Sequence, residues 1–238
     1  MTKVIYFDID DTLYNQIEPF RKAFEKNFWF LDIDIEDVFK TSRKLSDEVF
    51  EKSETGILSM DEMQIYRIKN ALQLHGIQIS NNDALQFQKD YSNFQNDIEL
   101  SRNIEGLFEF LTSNDVIIGI ISNGPSKHQW SKISNLNLER WIPKERMIIS
   151  SDVGFAKPNK KIFDLAQCIV SSSDHDFYYV GDSFLNDIIG AKQAGWHSIW
   201  YNHRKRIADN ESVASDFVVE NEEELIHLLK EIISKKND

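Results

Sequence analysis

A succession of short apolar runs, separated by segments of helical periodicity, limits what this chain can fold into more than any other feature. Residues 4–7 stop abruptly at Asp8, residues 116–121 at Ser122-Asn123, and residues 177–180 at Gly181-Asp182. Unbroken runs this short, rich in β-branched and aromatic residues, predict strands buried on both faces. Residues 147–149, 198–201 and 217–219 are weaker runs of the same kind. Helical patterns fill the intervals at 104–111, 127–138, 160–169, 184–194 and 222–233. This alternation predicts an α/β fold with a doubly wound parallel sheet and helices on both faces. Ligands of such sheets bind outside the carboxyl ends of the strands, which is where the polar residues fall.

Residues 15–97 interrupt the alternation. They hold no convincing buried strand, and helical segments at 18–31, 34–53, 59–74 and 82–94 are broken at Gly56, Gly76 and Ser80-Asn81-Asn82. The expected organisation is an all-helical module of residues 15–97, inserted after the first strand of an α/β core made of residues 1–14 and 98–238.

Charge and cysteine content narrow the partners. With 39 Asp and Glu against 27 Lys and Arg, the formal net charge is −12, which disfavours a nucleic-acid polymer or an anionic membrane. Cys168 is the single cysteine, so neither an intramolecular disulfide nor a cysteine zinc site is available. No apolar run reaches the roughly 18 residues of a membrane span, and the run between Lys3 and Asp8 is only four residues long, too short for a signal-peptide core. A cytoplasmic location is expected. The sequence gives no oligomeric state.

Asp8, Asp10 and Asp11 place three carboxylates in four positions at the end of the first strand. They repel one another unless a cation sits among them. Asp32-Ile33-Asp34 and Asp174-His175-Asp176 show the same spacing away from a strand end, and are read as solvated. Asp182 ends another core strand, where it could meet Asp8 across neighbouring strands and build an oxygen site for a hard cation. Ser183 suits an N-cap, with Asp187 in the following turns. Ser122-Asn123-Gly124 and Lys157 supply a hydroxyl, backbone amides and an ammonium that would hold phosphate oxygens.

In this order, Asp8-x-Asp10-x-Thr12, Ser122-Asn123, Lys157-Pro158 and Gly181-Asp182 with Asn186-Asp187 resemble the motifs of the haloacid dehalogenase-like (HAD) hydrolase superfamily. Gly154-Phe155-Ala156 before Lys157, and Gln129 and Lys132 after the second motif, fit the same resemblance, whereas Asn159 replaces the Asp that many relatives carry after Lys-Pro. The resemblance implies a Rossmann-like core, with the helical insertion as a C1-type cap. It also implies a phosphate ester as substrate, Asp8 as nucleophile forming an aspartyl phosphate, and Asp10 as general acid and base. Ser122 and Lys157 would hold the phosphoryl group. Mg²⁺ would be bound by Asp8, the Asp10 carbonyl and Asp182, with Asp187 ordering metal-bound water. Thr12, Asn123, Gly124 and, from the cap, Arg67 are the candidates for substrate contact.

An anionic nucleophile approaching a dianionic ester needs cations to offset repulsion, which accounts for the metal and Lys157. Dehalogenases and phosphonate-cleaving members of the superfamily lack an Asp at the position of Asp10, so the expected leaving group is an oxygen. The first expectation is hydrolysis of a small phosphorylated metabolite such as a nucleoside monophosphate, because the wording looks most like the nucleotidase-type subfamily. The alternatives are a sugar phosphomutase and a non-catalytic HAD-like binding protein, although the latter would be expected to have lost Asp8, Asp10 or Asp182. The segment 54–57 is a candidate cap loop, and Tyr14, Phe20, Arg21 and Tyr66 are further candidates to line the site. His203-Arg204-Lys205-Arg206 is read as a solvated loop.

Overall fold

The computed structural model describes residues 2–170, 175–208 and 213–235. Asp174, in the second of the solvated triplets, lies outside them. Close contacts divide the chain into two units, Met1–Asn15 with Glu99–Asp238, and Gln16–Ile98.

The first unit opens with β1 (Thr2–Phe7), and the second contributes α1 (Ile17–Phe28), α2 (Ile35–Glu54), α3 (Met60–Gln73) and α4 (Asn81–Phe94). The first unit resumes with α5 (Arg102–Ser113), β2 (Ile117–Ser122), α6 (Ser126–Asn135), β3 (Met147–Ile149), α7 (Ser150–Val153) and α8 (Lys160–Val170). It ends with β4 (His175–Gly181), a π-helical turn at Phe184–Ile189, α9 (Gly190–Gln193), β5 (His197–Tyr201), β6 (Phe217–Val219) and α10 (Glu222–Ser234).

The six strands form one sheet in the order β3-β2-β1-β4-β5-β6, every pair parallel. The chain winds from β1 outward to β3 and then returns to the other side of β1 to build β4 to β6. That reversal leaves the carboxyl end of β1 at the topological switch point. Side chains on β1 alternate between faces as a pleated strand requires. Val4 and Tyr6 pack with Ile162, Phe163 and Ala166 of α8 and with Trp196, while Phe7 meets Phe108 of α5 edge-on with ring centroids 5.2 Å apart.

The helical unit has its own core, in which Phe20, Phe24, Phe39, Phe87 and Tyr91 are buried together. Ser59 and Ser80 start α3 and α4 with reciprocal capping boxes to Glu62 and Asp83, satisfying backbone donors that a helix start leaves unpaired. Phe20 therefore belongs to this core. Among the described residues, no helix is long and apolar enough to cross a membrane.

Two helices depart from expectation. The one predicted over 127–138 ends at Asn135, because Asn137 adopts a left-handed conformation at φ 52° that halts it. The one predicted over 184–194 is split, and its first part is a π-helical turn. Asp187 Oδ2 accepts the Ser183 N–H at 2.9 Å, so the carboxylate is turned back onto the strand end and the wider turn accommodates it.

Candidate active site

Asp8 follows β1, and its N–H donates to the Val180 carbonyl at 2.9 Å. Pairing with β4 thus continues up to the residue that carries the carboxylate. Asp8 Oδ1 accepts from Lys157 Nζ at 2.7 Å, and the same ammonium donates to Asp187 Oδ1 and Tyr179 Oη, each at 2.7 Å. Tyr179 in turn donates to the Ile121 carbonyl at 2.7 Å. Three acceptors match the three N–H bonds of a buried ammonium. Burial works against the Lys157 charge, but Asp187 and Asp8 outweigh it and hold the ammonium above its ordinary range.

Asp8, Asp182 and Asp187 each offer a carboxylate oxygen, and these oxygens lie within 4.8 Å of one another. Burial pushes the Asp8 carboxyl up to about 7 against the pull of Lys157, with Asp187 and Asp10 adding to the rise. Burial also raises Asp182 well above the carboxylate range, helped by Asp11 and opposed by Arg206. Like charges crowded in a buried oxygen cluster are the donor set a hard divalent cation takes, so these residues fit Mg²⁺. Asp187 belongs to this cluster, with its Oδ1 accepting from Lys157 and its Oδ2 from the Ser183 N–H.

Asp10 points elsewhere. Its two oxygens each lie 2.6 Å from Lys132 Nζ, while Tyr14 Oη donates to Oδ1 at 2.6 Å and Gln129 Nε2 to Oδ2 at 3.1 Å. Two carboxylates separated by one residue thus occupy different environments, one in the cluster of Asp8, Asp182 and Asp187 and one beside it.

Three expected substrate contacts have other employment in the structure. The Asn123 side chain holds the backbone of Lys157, and the Gly124 N–H donates to Ser150 Oγ at 2.9 Å. Arg67 lies in the helical unit, where its guanidinium donates to Gln88 Oε1; burial lowers it to about 10. Ser122 is buried at the end of β2 and donates to Gln129 Oε1 at 3.2 Å. Thr12 is buried next to the acidic loop, and its Oγ1 has no hydrogen-bond partner among the described residues.

The basic cluster after β5 is solvated only in part: Lys205 and Arg206 are exposed, whereas the Arg204 side chain is enclosed. Arg204 is buried and meets Asp11 through two hydrogen bonds, Nε to Oδ2 at 2.6 Å and Nη2 to Oδ1 at 2.7 Å. Arg206 Nη1 donates to Asp182 Oδ2 at 2.8 Å. Asn202 holds the Arg206 backbone in place by accepting its N–H at 2.8 Å and donating to its carbonyl at 3.0 Å. Five carboxylates, Asp8, Asp10, Asp11, Asp182 and Asp187, therefore meet four cations, Lys132, Lys157, Arg204 and Arg206.

A family model for haloacid dehalogenase-like hydrolases matches residues 5–201. The chain is 27% identical over 239 residues to a glyceraldehyde 3-phosphate phosphatase of Methanothermobacter thermautotrophicus, covering 98% of this chain and all of that protein. To the pyrimidine 5′-nucleotidase YjjG of Escherichia coli it is 37% identical over 113 residues, covering 47% of this chain and 49% of that one. In structure it resembles the HAD-hydrolase YfnB of Bacillus subtilis bound to magnesium, with a TM-score of 0.70, 24% identity, and coverage of 96% of this chain and 98% of that one.

Proposed function

This chain belongs to the haloacid dehalogenase-like hydrolases, and on that premise we propose that it is a Mg²⁺-dependent phosphomonoesterase working through an aspartyl phosphate on Asp8. The observation that carries the reading is the separation of two carboxylates at one strand end. Asp8 is held by Lys157 within the acidic cluster, while Asp10 is held apart by Lys132, Tyr14 and Gln129. Nucleophile and proton carrier can then act at the same phosphorus without sharing a site.

In the first step a carboxylate oxygen of Asp8 bonds to phosphorus as the bond to the ester oxygen breaks. The departing oxygen takes a proton from Asp10. In the second, Asp10 removes a proton from water, the water oxygen bonds to phosphorus, and the Asp8–phosphorus bond breaks to free inorganic phosphate. Lys157 would offset charge between Asp8 and the phosphoryl oxygens, and Ser122 would turn its hydroxyl from Gln129 to donate to them. Asp8 and Asp182, with the Asp10 carbonyl, would hold Mg²⁺, which supplies positive charge against the phosphoryl group, and Asp187 would order water on it.

The substrate we infer is a small phosphorylated metabolite, first a nucleoside monophosphate, with the helical unit as the cap that selects it. The part-length likeness to a pyrimidine nucleotidase supports this. The end-to-end likeness to a glyceraldehyde 3-phosphate phosphatase favours a triose phosphate as the second reading.

The test is phosphate release by the purified protein from nucleoside monophosphates, glyceraldehyde 3-phosphate and hexose phosphates. Phosphate should appear in step with substrate loss, vanish in excess EDTA and return with Mg²⁺. Isomerised hexose phosphate forming faster than free phosphate would point to a mutase. Asp8→Asn should abolish turnover with the fold intact; a residual rate above about a thousandth, or about 4 kcal/mol of barrier, would overturn covalent catalysis by Asp8.

A further inference from the structure

Lys132 is a second buried lysine at the site, and the mechanism above gives it no step. Its side chain is 3% exposed against 19% for the Asp10 side chain it meets, so the lysine is the more deeply buried of the two. A buried ammonium is costly unless its partner is well placed, and here both oxygens of Asp10 lie at 2.6 Å. Gln129 stands three residues earlier in α6, on the same helix face. It ties the arrangement to the phosphate-binding loop, donating to Asp10 Oδ2 at 3.1 Å and to the Asn123 carbonyl at 3.2 Å while accepting from Ser122 Oγ at 3.2 Å. One face of α6 therefore sets the distance between Asp10 and Ser122.

A group that first gives a proton to a leaving oxygen and later takes one from water must keep its direction through both steps, because proton transfer at a transition state depends on alignment. We propose that Lys132 is a positioning residue for this exchange. Anchored in α6, it grips both oxygens of Asp10 and aims the carboxyl group at the leaving oxygen of the ester. The inference rests on the reading of Asp10 as acid and base.

The experiment compares single-turnover release of the alcohol from a nucleoside 5′-monophosphate with release of p-nitrophenol from p-nitrophenyl phosphate. It is run with the Mg²⁺-loaded wild type, Asp10→Asn, Lys132→Met and Lys132→Arg. An alkoxide needs a proton in order to leave and a nitrophenolate needs little help, so the ratio of the two rates reads proton delivery. Both rates come from one preparation, so the ratio is independent of the fraction folded. If Lys132→Met cannot be obtained, Lys132→Gln is read in the same way.

Asp10→Asn should lower the alkyl rate about 10² to 10⁴-fold more than the nitrophenyl rate, and Lys132→Met should shift the ratio in the same direction by at least about tenfold. Lys132→Arg should recover most of that shift, since a guanidinium can still engage both oxygens. A ratio in Lys132→Met within about twofold of wild type, beside a shifted ratio in Asp10→Asn, overturns the positioning role and leaves the mechanism standing. An unshifted ratio in Asp10→Asn overturns the acid-base reading, and the inference with it.

Discussion

Gly181 and Asp187 are in such close approach that a Cβ on Gly181 would stand 2.3 Å from Asp187 Oδ2 and 2.4 Å from its Cγ. The missing side chain is what lets the Asp187 carboxylate fold back against the end of β4, where it accepts from both Lys157 and the Ser183 N–H. Gly181→Ala should therefore drive Asp187 out of its position and remove one acceptor from Lys157. Overpacking of this kind costs about 1–3 kcal/mol of stability, and turnover should fall with it. In an Asp187→Gly background, which also removes the Asp187 Cβ that would stand 2.6 Å away, the same substitution should add little, because the clash is gone. Urea unfolding and turnover of the two single variants and the double variant check this; additive losses would mean that Gly181 matters for some other reason.

A second prediction concerns Asn123, whose Oδ1 accepts the Lys157 N–H and whose Nδ2 donates to the Lys157 carbonyl, both at 2.9 Å. Asn123→Ala leaves two backbone groups without these partners, at about 1–3 kcal/mol. Asn123→Asp keeps the acceptor but sets an oxygen against a carbonyl, so it should be no better than Ala. Because the backbone of Lys157 is loosened, both variants should bind inorganic phosphate more weakly as a competitive inhibitor. Inhibition constants matching wild type would show that the lysine is held adequately without this clasp.

The strands, their order along the chain, and the acidic residues at their ends could be read from the sequence because a buried parallel strand must be apolar throughout and must stop where polar groups begin. Asp8 and Asp182 stood out for that reason. The employment of Asn123 and Gly124 did not, since a residue next to a phosphate-binding motif looks the same whether it meets a ligand or its own chain. Arg204 was misread because its partner Asp11 is 193 positions away, and only the placement of β5 two strands from β1 brings the two loops together. Gln129 and Lys132 share a helix face by their spacing, but spacing does not say which face of α6 meets the acidic loop. The helical unit gave up its helices, through periodicity and the breaks at Gly56, Gly76 and Ser80-Asn81-Asn82, but not the packing that buries Phe20.

In the helical unit, Asp90 carries a pH-dependent share of stability. Burial pushes its carboxyl up, but hydrogen bonds from Lys26, Gln86 and Asn27 outweigh this and bring it down to about 2. A depressed carboxyl contributes stability that is present above its unfolded value and lost as pH falls through the folded one. Asp90→Asn should therefore be less stable than wild type near neutrality, by about 1.5–3 kcal/mol if the charge-assisted bonds dominate. The gap should close as pH falls from about 4 towards 2. Hydrogen exchange at the amides of α1 and α4 over that range measures it locally. A gap that stays constant with pH would mean that the Asp90 charge contributes nothing.

The pair formed by Asp11 and Arg204 yields the last prediction. Asp11 sits between the proposed proton carrier and Thr12, holds a left-handed backbone at φ 59°, and is buried together with the guanidinium that grips it. Arg204 Nη2 also donates to Asn15 Oδ1 at 2.8 Å, so one side chain ties down both sides of the turn after β1. Removing one member of a buried ion pair costs up to about 3–5 kcal/mol, less for Arg204→Met because Arg206 Nη2 still lies 3.6 Å from Asp11 Oδ2, whereas removing both relieves that penalty. The informative variants are Arg204→Met, which keeps apolar volume, and Asp11→Asn, because Asn tolerates the left-handed conformation that Ala would resist. Each alone should destabilise strongly. The double variant should be more stable than the sum of the two predicts, with a coupling of about 1–3 kcal/mol. Arg204→Lys should recover only part of the loss, because a single ammonium cannot reproduce two parallel bonds to one carboxylate. Turnover should follow the same order, since Asp8 and Asp10 are carried by the turn that this pair fixes. Urea unfolding of the four proteins closes the cycle, and simple additivity would show that the ion pair is not what holds the turn.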